Sequence, residues 1–283
     1  MKKYVNAPLP FQGQKRRFVK QLEEMAMQQK KGAVFVDLFG GSGLVSHTIK
    51  QARPDCRVVY NDFDHYSKRL EHIGRTNEML RALRPIVATI PTKSRIDEPV
   101  RSQVIAEVER WHKSGFVDWF SLSSNLLFTM NYVHSFEEFR KETFYNRVRK
   151  DDYNADGYLE GVEVVSMDYS LLFEQYRLVP DVVFILDPPY LSTDCGTYTC
   201  CGPRLYGANS DYWRLSDYLD VLKCMHGTKF VYFTSRKSTI VELAEWIAKN
   251  DFHGNPFEGA KVYRQHVSGV VLNYEDMMLV KAA

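Results

Sequence analysis

The chain has 283 residues, 45% of them hydrophobic and 25% charged, with 37 Lys and Arg against 35 Asp and Glu for a net charge of +2. That is globular composition, long enough to bury a sizeable core as one α/β domain or as one domain with an insertion. It excludes a disordered or collagen-like chain, and it leaves any anion-binding surface to local rather than global charge.

The N-terminus, MKKYVNAPLPF, has no apolar segment of the signal-peptide kind. No run approaches the ~18 apolar residues of a membrane span, so a cytoplasmic protein without membrane contact is expected. Residues 33–39, AVFVDLF, form a short apolar run ended by GGSG. The run reads as a buried strand followed by a glycine turn, and LVSHTIKQA after it has helical spacing. Residues 56–62, CRVVYND, read as a second strand of the same kind. This strand, loop, helix, strand order predicts a Rossmann-like, doubly wound sheet, mostly parallel.

Residues 66–160 break the pattern with amphipathic helical spacing and then an aromatic and basic stretch, FEEFRKETFYNRVRKDDYN. Strand character returns at 162–168, 181–187 and 229–235, followed by the helical STIVELAEWIAKN. The closing KVYRQHVSGVVLNYEDMMLVK reads as two strands joined by a turn, the last of them antiparallel. The expected organisation is one catalytic domain from residues 1–65 and 161–283, with a helical inserted subdomain at 66–160. The five cysteines, Cys56, Cys195, Cys200, Cys201 and Cys224, are odd in number and lack short-spaced zinc pairs. Free thiols and no metal are expected.

Two loops carry chemistry. In FVDLFGGSG, Gly40, Gly41 and Gly43 allow close backbone approach and positive φ, as a nucleotide-type cofactor at the carboxyl ends of strands requires. A dinucleotide fingerprint wants a third glycine at position 46, where Ser46 stands. A tight turn with no ligand is the other reading. Asp62 closes the next strand, at the spacing where an acid binds ribose hydroxyls. Asp37 is an acid inside an apolar run and needs partners. A cationic cofactor would supply them, as would neighbouring backbone amides.

The second loop is ILDPPYLS, residues 185–192. Two prolines end a strand and stiffen the corner after it, so Asp187 and Tyr190 are presented rigidly at a sheet edge. Asp187 offers a carboxylate acceptor, Pro188 a main-chain carbonyl and Tyr190 a stacking face. Together they suit a planar base with an exocyclic amine. Acceptors holding both amine protons turn the nitrogen lone pair into a nucleophile, and fixed orientation lowers the barrier further. A capped surface turn is the alternative.

These stretches resemble, in order, those of the Dam-like, D12 class N6-adenine-specific DNA methyltransferases, which use S-adenosylmethionine. PLPFQGQK resembles the family's first cofactor segment, with Phe11, Gly13 and Lys15 matching and Gln14 where glycine is common. DLFGGSG supplies Asp37, Phe39, Gly41 and Gly43; YNDFD supplies Asp62, with Asp64 in place of the usual Asn. SMDYSLLF supplies Asp168 and Tyr169, and DPPY the catalytic Asp187, Pro188, Pro189 and Tyr190, with Asp187 also on the cofactor. NYEDMMLVK is similar to the final strand pair.

The resemblance implies a methyl group passed to an adenine flipped out of double-stranded DNA, with 66–160 as the target-recognition region. No metal or covalent nucleophile is implied. Arg140, Lys141, Arg147, Arg149 and Lys150, interleaved with Phe139, Phe144 and Tyr145, become the expected DNA contacts. A solvated helix face alternating with Glu137, Glu138 and Glu142 is the plainer reading of the same stretch. A monomer or weak dimer is expected, with room for a cognate restriction endonuclease as partner. The alternatives are an RNA or non-nucleic amino methyltransferase, an NAD-dependent oxidoreductase, and a non-catalytic DNA-binding protein.

Overall fold

The computed structural model describes residues 2–129, 131–189, 215–235, 239–250, 254–268 and 273–282. Its strands are β1 (Val34–Asp37), β2 (Arg57–Asn61), β3 (Arg95–Ile96), β4 (Phe144–Tyr145), β5 (Glu163–Val165), β6 (Val182–Leu186), β7 (Lys229–Ser235), β8 (Lys261–Ser268) and β9 (Asn273–Lys281). Its helices are α1 (Val19–Met27), α2 (Leu44–Ala52), α3 (Tyr66–Glu71), α4 (Ile73–Ile86), α5 (Val100–Lys113), α6 (Trp119–Leu126), α7 (Phe136–Phe139), α8 (Tyr169–Tyr176), α9 (Leu215–Met225) and α10 (Ile240–Asn250).

Seven strands form one sheet in the order β5-β2-β1-β6-β7-β9-β8. The first five are parallel, and β9 runs antiparallel against both β7 and β8. The fold is the expected Rossmann-like α/β arrangement, with the final strand placed inside its own hairpin partner rather than at the rim. Buried on both faces, the central strands read as unbroken apolar runs. Alternation decides which face each residue serves. Phe35, Val183 and Ile185 face α1 and α2, packing with Leu22, Met25, Val45 and Ile49. Val36, Phe184 and Leu186 face the other way, against Leu172 and Tyr176 of α8, Val221 of α9 and Ile240 of α10.

A third core joins α3 to α7, with Leu80, Leu83, Val104, Val108, Leu122 and Phe139 at its centre and Leu9 of the N-terminal segment included. Helical spacing predicts helix through most of 66–160. The structure departs from this after α6, where α7 spans four residues and much of the chain from 140 to 162 is extended or turned. Two asparagines explain how an extended stretch survives there. Asn77 of α4 exchanges hydrogen bonds with the Tyr153 main chain, Nδ2 to O at 2.9 Å and N to Oδ1 at 2.8 Å. Asn125 of α6 accepts from Arg147 N through its main-chain oxygen and from Arg149 N through Oδ1. These amides thus find partners on distant helices, two of them side chains, rather than within a helix of their own. Among the described residues no helix is long and apolar enough to cross a membrane.

Candidate active site

The strand order reverses between β1 and β6, because β2 and β5 lie on one side of β1 and β6 and β7 on the other. Open parallel sheets bind ligands in the crevice at the carboxyl ends flanking such a point. Here that edge carries acids. Asp37 ends β1 in register with Ile185 of β6, and Asp187 follows β6 directly. Asp62 follows β2.

Asp37 is 1% exposed. Its Oδ2 accepts from the Ser46 hydroxyl at 2.7 Å. Burial pushes its carboxyl up to about 7, the neighbouring charge of Asp187 adds to the rise, and Ser46, the Phe39 amide and Lys15 oppose it. The residue at the third-glycine position therefore serves the acid at the strand end. Asp187 is ion-paired with Lys15 through Oδ2. Burial also holds its carboxyl above the ordinary range, against the pull of Lys15. Lys15 Nζ donates to Gly13 O at 2.7 Å and lies 5.5 Å from the Phe233 ring centroid. Pro188 is buried and Pro189 half-buried beside it. Tyr190, together with Cys195, Cys200 and Cys201, lies outside the described residues.

The glycines answer first to the protein's own packing. A Cβ on Gly40 would fall 2.1 Å from the Tyr60 ring, and one on Gly43 would fall 2.8 Å from Leu159. Gly41 has φ +51°, and its Cβ would lie 3.1 Å from the Phe11 ring. Phe11 is thereby laid over the glycine turn.

A chain of polar contacts holds Phe11 there. Asp62 is buried, and its two oxygens accept from Tyr66 N at 2.6 Å and Ser67 N at 2.8 Å, capping the start of α3. The Tyr60 hydroxyl sits between Asp62 Oδ1 and Gly41 O, and the Ser67 hydroxyl also reaches Asp62. Tyr66 then binds both main-chain groups of Leu9, and Arg69 donates to Pro10 O at 2.9 Å. Gln14 braces the same turn, accepting from Ala7 N at 2.9 Å and donating to Phe11 O at 3.2 Å. A glycine at position 14 would lack that brace.

Asp62, expected on a ribose, is thus already well supplied with donors. Asp64 is the opposite. Its Oδ1 is buried without a hydrogen-bond partner among the described residues, as is Gln12 Oε1. Burial and the charge of Asp62 push the Asp64 carboxyl up to about 7, against Arg69. Unmet acceptors and under-neutralised acids at one crevice fit a ligand that brings hydroxyls and positive charge.

Phe39 and Tyr169 meet at 4.9 Å between ring centroids, tilted by 32°, beyond the end of β1. Burial pushes the Tyr169 phenol upward. Asp168 is exposed and caps α8, accepting from Ser170 N at 2.8 Å.

The basic residues of the insertion divide. Arg140, Lys141 and Lys150 are exposed, with Arg140 paired to Glu137 at 2.7 Å. Arg147 and Arg149 are half-buried and turned to the protein itself. Arg147 reaches the Thr129 hydroxyl at 2.5 Å, and Arg149 lies 3.9 Å over the Tyr153 ring. Cys56 and Cys224 are free and buried, and no metal-binding group of His, Cys, Asp and Glu forms among the described residues.

Sequence reasoning passed over the supports: Ser46, Tyr60, Asn61, Tyr66 and Arg69. Asn61 had a signal, as a polar residue closing an apolar strand. It donates to Leu38 O and Met167 O and accepts from Met167 N, stapling the ends of β1, β2 and β5. His47, unnoticed on α2, stacks on Tyr158 at 4.7 Å and accepts from Tyr4 N at 3.3 Å, with burial lowering it to about 4.

A sequence model of the D12 class N6 adenine-specific DNA methyltransferases matches residues 11–91, from Phe11 through the glycine loop to just past the end of α4. A Haemophilus influenzae protein, provisionally named a methyltransferase, is 35% identical over 292 aligned positions, which take in 99% of this chain and 93% of that protein.

Proposed function

The chain belongs to the D12 class N6 adenine-specific DNA methyltransferase family, and from that premise we propose that it methylates the exocyclic amine of an adenine flipped out of duplex DNA, using S-adenosylmethionine. The observation that carries the reading is Asp187, a carboxylate on a double-proline corner beside Asp37 at the switch point of the sheet. An acceptor for amine protons and an anionic seat for a cationic donor then share one crevice.

The residues that would hold the donor are supported by their surroundings. Asp37 faces its positive charge. Asp64, with its unmet oxygen, joins Asp62 at the ribose hydroxyls. The Phe39 and Tyr169 pair offers the adenine ring an aromatic wall, with Asp168 at the mouth. Phe11, Gly13, Lys15, Gly41 and Gly43 close the cradle. The donor supplies an electrophilic methyl group on a sulfonium sulfur.

The chain's own part is to bind and orient. Asp187 and the Pro188 carbonyl accept the two amine protons, which turns the nitrogen lone pair outward, and Tyr190 stacks on the base. Extruding the base costs a few kcal/mol, offset by this stacking and these hydrogen bonds. Residues 1–65 and 161–283 form the catalytic part, and 66–160 contact the duplex. Arg140, Lys141 and Lys150 are exposed and would meet phosphates, Arg140 by exchanging Glu137 for one, and Arg147 and Arg149 shape the surface between them.

The test is expression in a host lacking adenine methylation, then sequencing that maps N6-methyladenine. Methylation at one short recurring sequence is expected, and Asp187→Ala should lower purified activity by roughly 10²–10⁴-fold. Methyl transfer to RNA with none to DNA would overturn the reading.

A further inference from the structure

We propose that Asp276 is a positioning residue that draws Lys15 off Asp187 when the target amine enters, so that the lysine moves between two acids in each turnover. The inference rests on Asp187 being the acceptor of the amine protons.

The topology puts the two acids on either side of the lysine. Asp276 lies on β9 in register with Ser235, at the carboxyl end of β7. Asp187 ends β6, the other neighbour of β7. The Lys15 ammonium sits over Phe233 of the intervening β7. Two strand spacings, about 10 Å between backbones, separate the acids, and a lysine stem pivoting between them reaches either.

Asp276 is half-buried, and among the described residues it is ion-paired with Arg17, 3.9 Å away and itself 37% exposed. That contact is long and its partner faces solvent, so it leaves room for a second donor. Burial raises both Asp187 and Asp276, the charge of Asp276 adds to the rise at Asp187, and Lys15 lowers both, with Arg17 assisting at Asp276, so one lysine lies within electrostatic reach of both acids. Each acid alone leaves the other under-neutralised when Lys15 sits with it.

The chemistry gives the motion a purpose. The attacking amine gains positive charge as its nitrogen bonds to the methyl carbon and the carbon–sulfur bond breaks. An acid already bound to an ammonium stabilises that charge poorly, because two cations compete for one carboxylate. With Lys15 moved to Asp276, Asp187 meets the developing ammonium alone and its proton leaves through that carboxylate. Asp276→Asn removes the second station and traps Lys15 on Asp187.

The experiment uses the purified full chain, labelled S-adenosylmethionine and unmethylated amplified duplex DNA of mixed sequence. Asp276→Asn should lower kcat about tenfold with the KM for the donor unchanged, and Asp276→Glu should restore most of the loss. In a Lys15→Gln background the Asp276→Asn change should have no further effect, since no lysine remains to be drawn away. An equal loss with and without Lys15, or no rescue by glutamate, assigns Asp276 a merely structural role and overturns the proposal. Wild-type kcat in Asp276→Asn overturns it too, with the methyltransferase reading intact. A wild-type protein that transfers no label to DNA refutes that reading first and the lysine switch with it.

Discussion

Asp118 in the insertion and Asp37 at the sheet edge are equally hidden, at 2% and 1% exposed, and their circumstances differ in kind. Asp118 caps α6 through Ser121 N, takes the Ser121 hydroxyl at 2.6 Å and is paired with Arg69 Nε at 2.9 Å. Arg69 in turn lies over the Tyr66 and Phe120 rings and holds Pro10. Every charge in that cluster is answered, and the cluster ties the insertion to α3 and to the N-terminal segment. At the sheet edge, Asp37, Asp187 and Asp276 all feel the ammonium of Lys15, with the solvent-facing Arg17 as a further cation at Asp276. Matched burial builds; unmatched burial waits for a ligand.

The sharpest way to break that contrast is to unmatch the insertion. Asp118→Ala strands Arg69 without its counter-ion and should lower unfolding stability by about 3–5 kcal/mol. Chemical denaturation measures it, and a loss under ~1 kcal/mol would mean the pair is not structural.

Relieving the edge should do the reverse. Asp64→Asn removes a buried carboxyl whose folded value, about 7, lies well above that of an unfolded aspartate. A raised folded value means that the stability the group adds in its protonated form is complete below about pH 4 and is lost as pH climbs through 7. Variant and wild type should therefore match in acid, and the donor-free variant should be more stable by about 1–2 kcal/mol at pH 8. Thermal unfolding across pH 4–8 tests the window, and a gap that stays constant with pH would sink the assignment.

The smallest effect is a proton. A cationic donor seated against Asp37 should pull its carboxyl down from about 7 and release up to about one proton per donor bound near neutral pH. Calorimetry of S-adenosylmethionine binding in buffers of different ionisation enthalpy reads this directly. Release should fade toward pH 9, where the acid is already ionised. Heats that do not vary with buffer at pH 7 would remove Asp37 as the anionic seat.

Much of this is legible in the amino-acid sequence. The parallel strands announced themselves as apolar runs ended by glycine, acid or proline, and each acid singled out at a run's end stands at the carboxyl edge. The strand expected over 162–168 is shorter, Glu163–Val165, because Met167 is taken by Asn61 and Asp168 by α8. The helical expectation failed after α6, where the amides of Arg147, Arg149 and Tyr153 bond to partners 22 to 76 residues away in sequence. Periodicity reports local structure and is blind to such partners. Arg147 and Arg149 read the same as Lys150 in sequence, yet they are turned inward by Thr129 and Tyr153.

By itself the sequence determined the sheet, the order of its motifs and the acids at strand ends, since hydrophobic period, glycine and proline act on the chain within a few residues. Only the tertiary structure decided which acid is satisfied and which is not. Asp62 became a helix cap, Asp64 kept an unmet oxygen, and Lys15 came to pair with Asp187. Burial and the approach of distant charges set the free energy of a carboxylate, and neither exists until the strands are side by side.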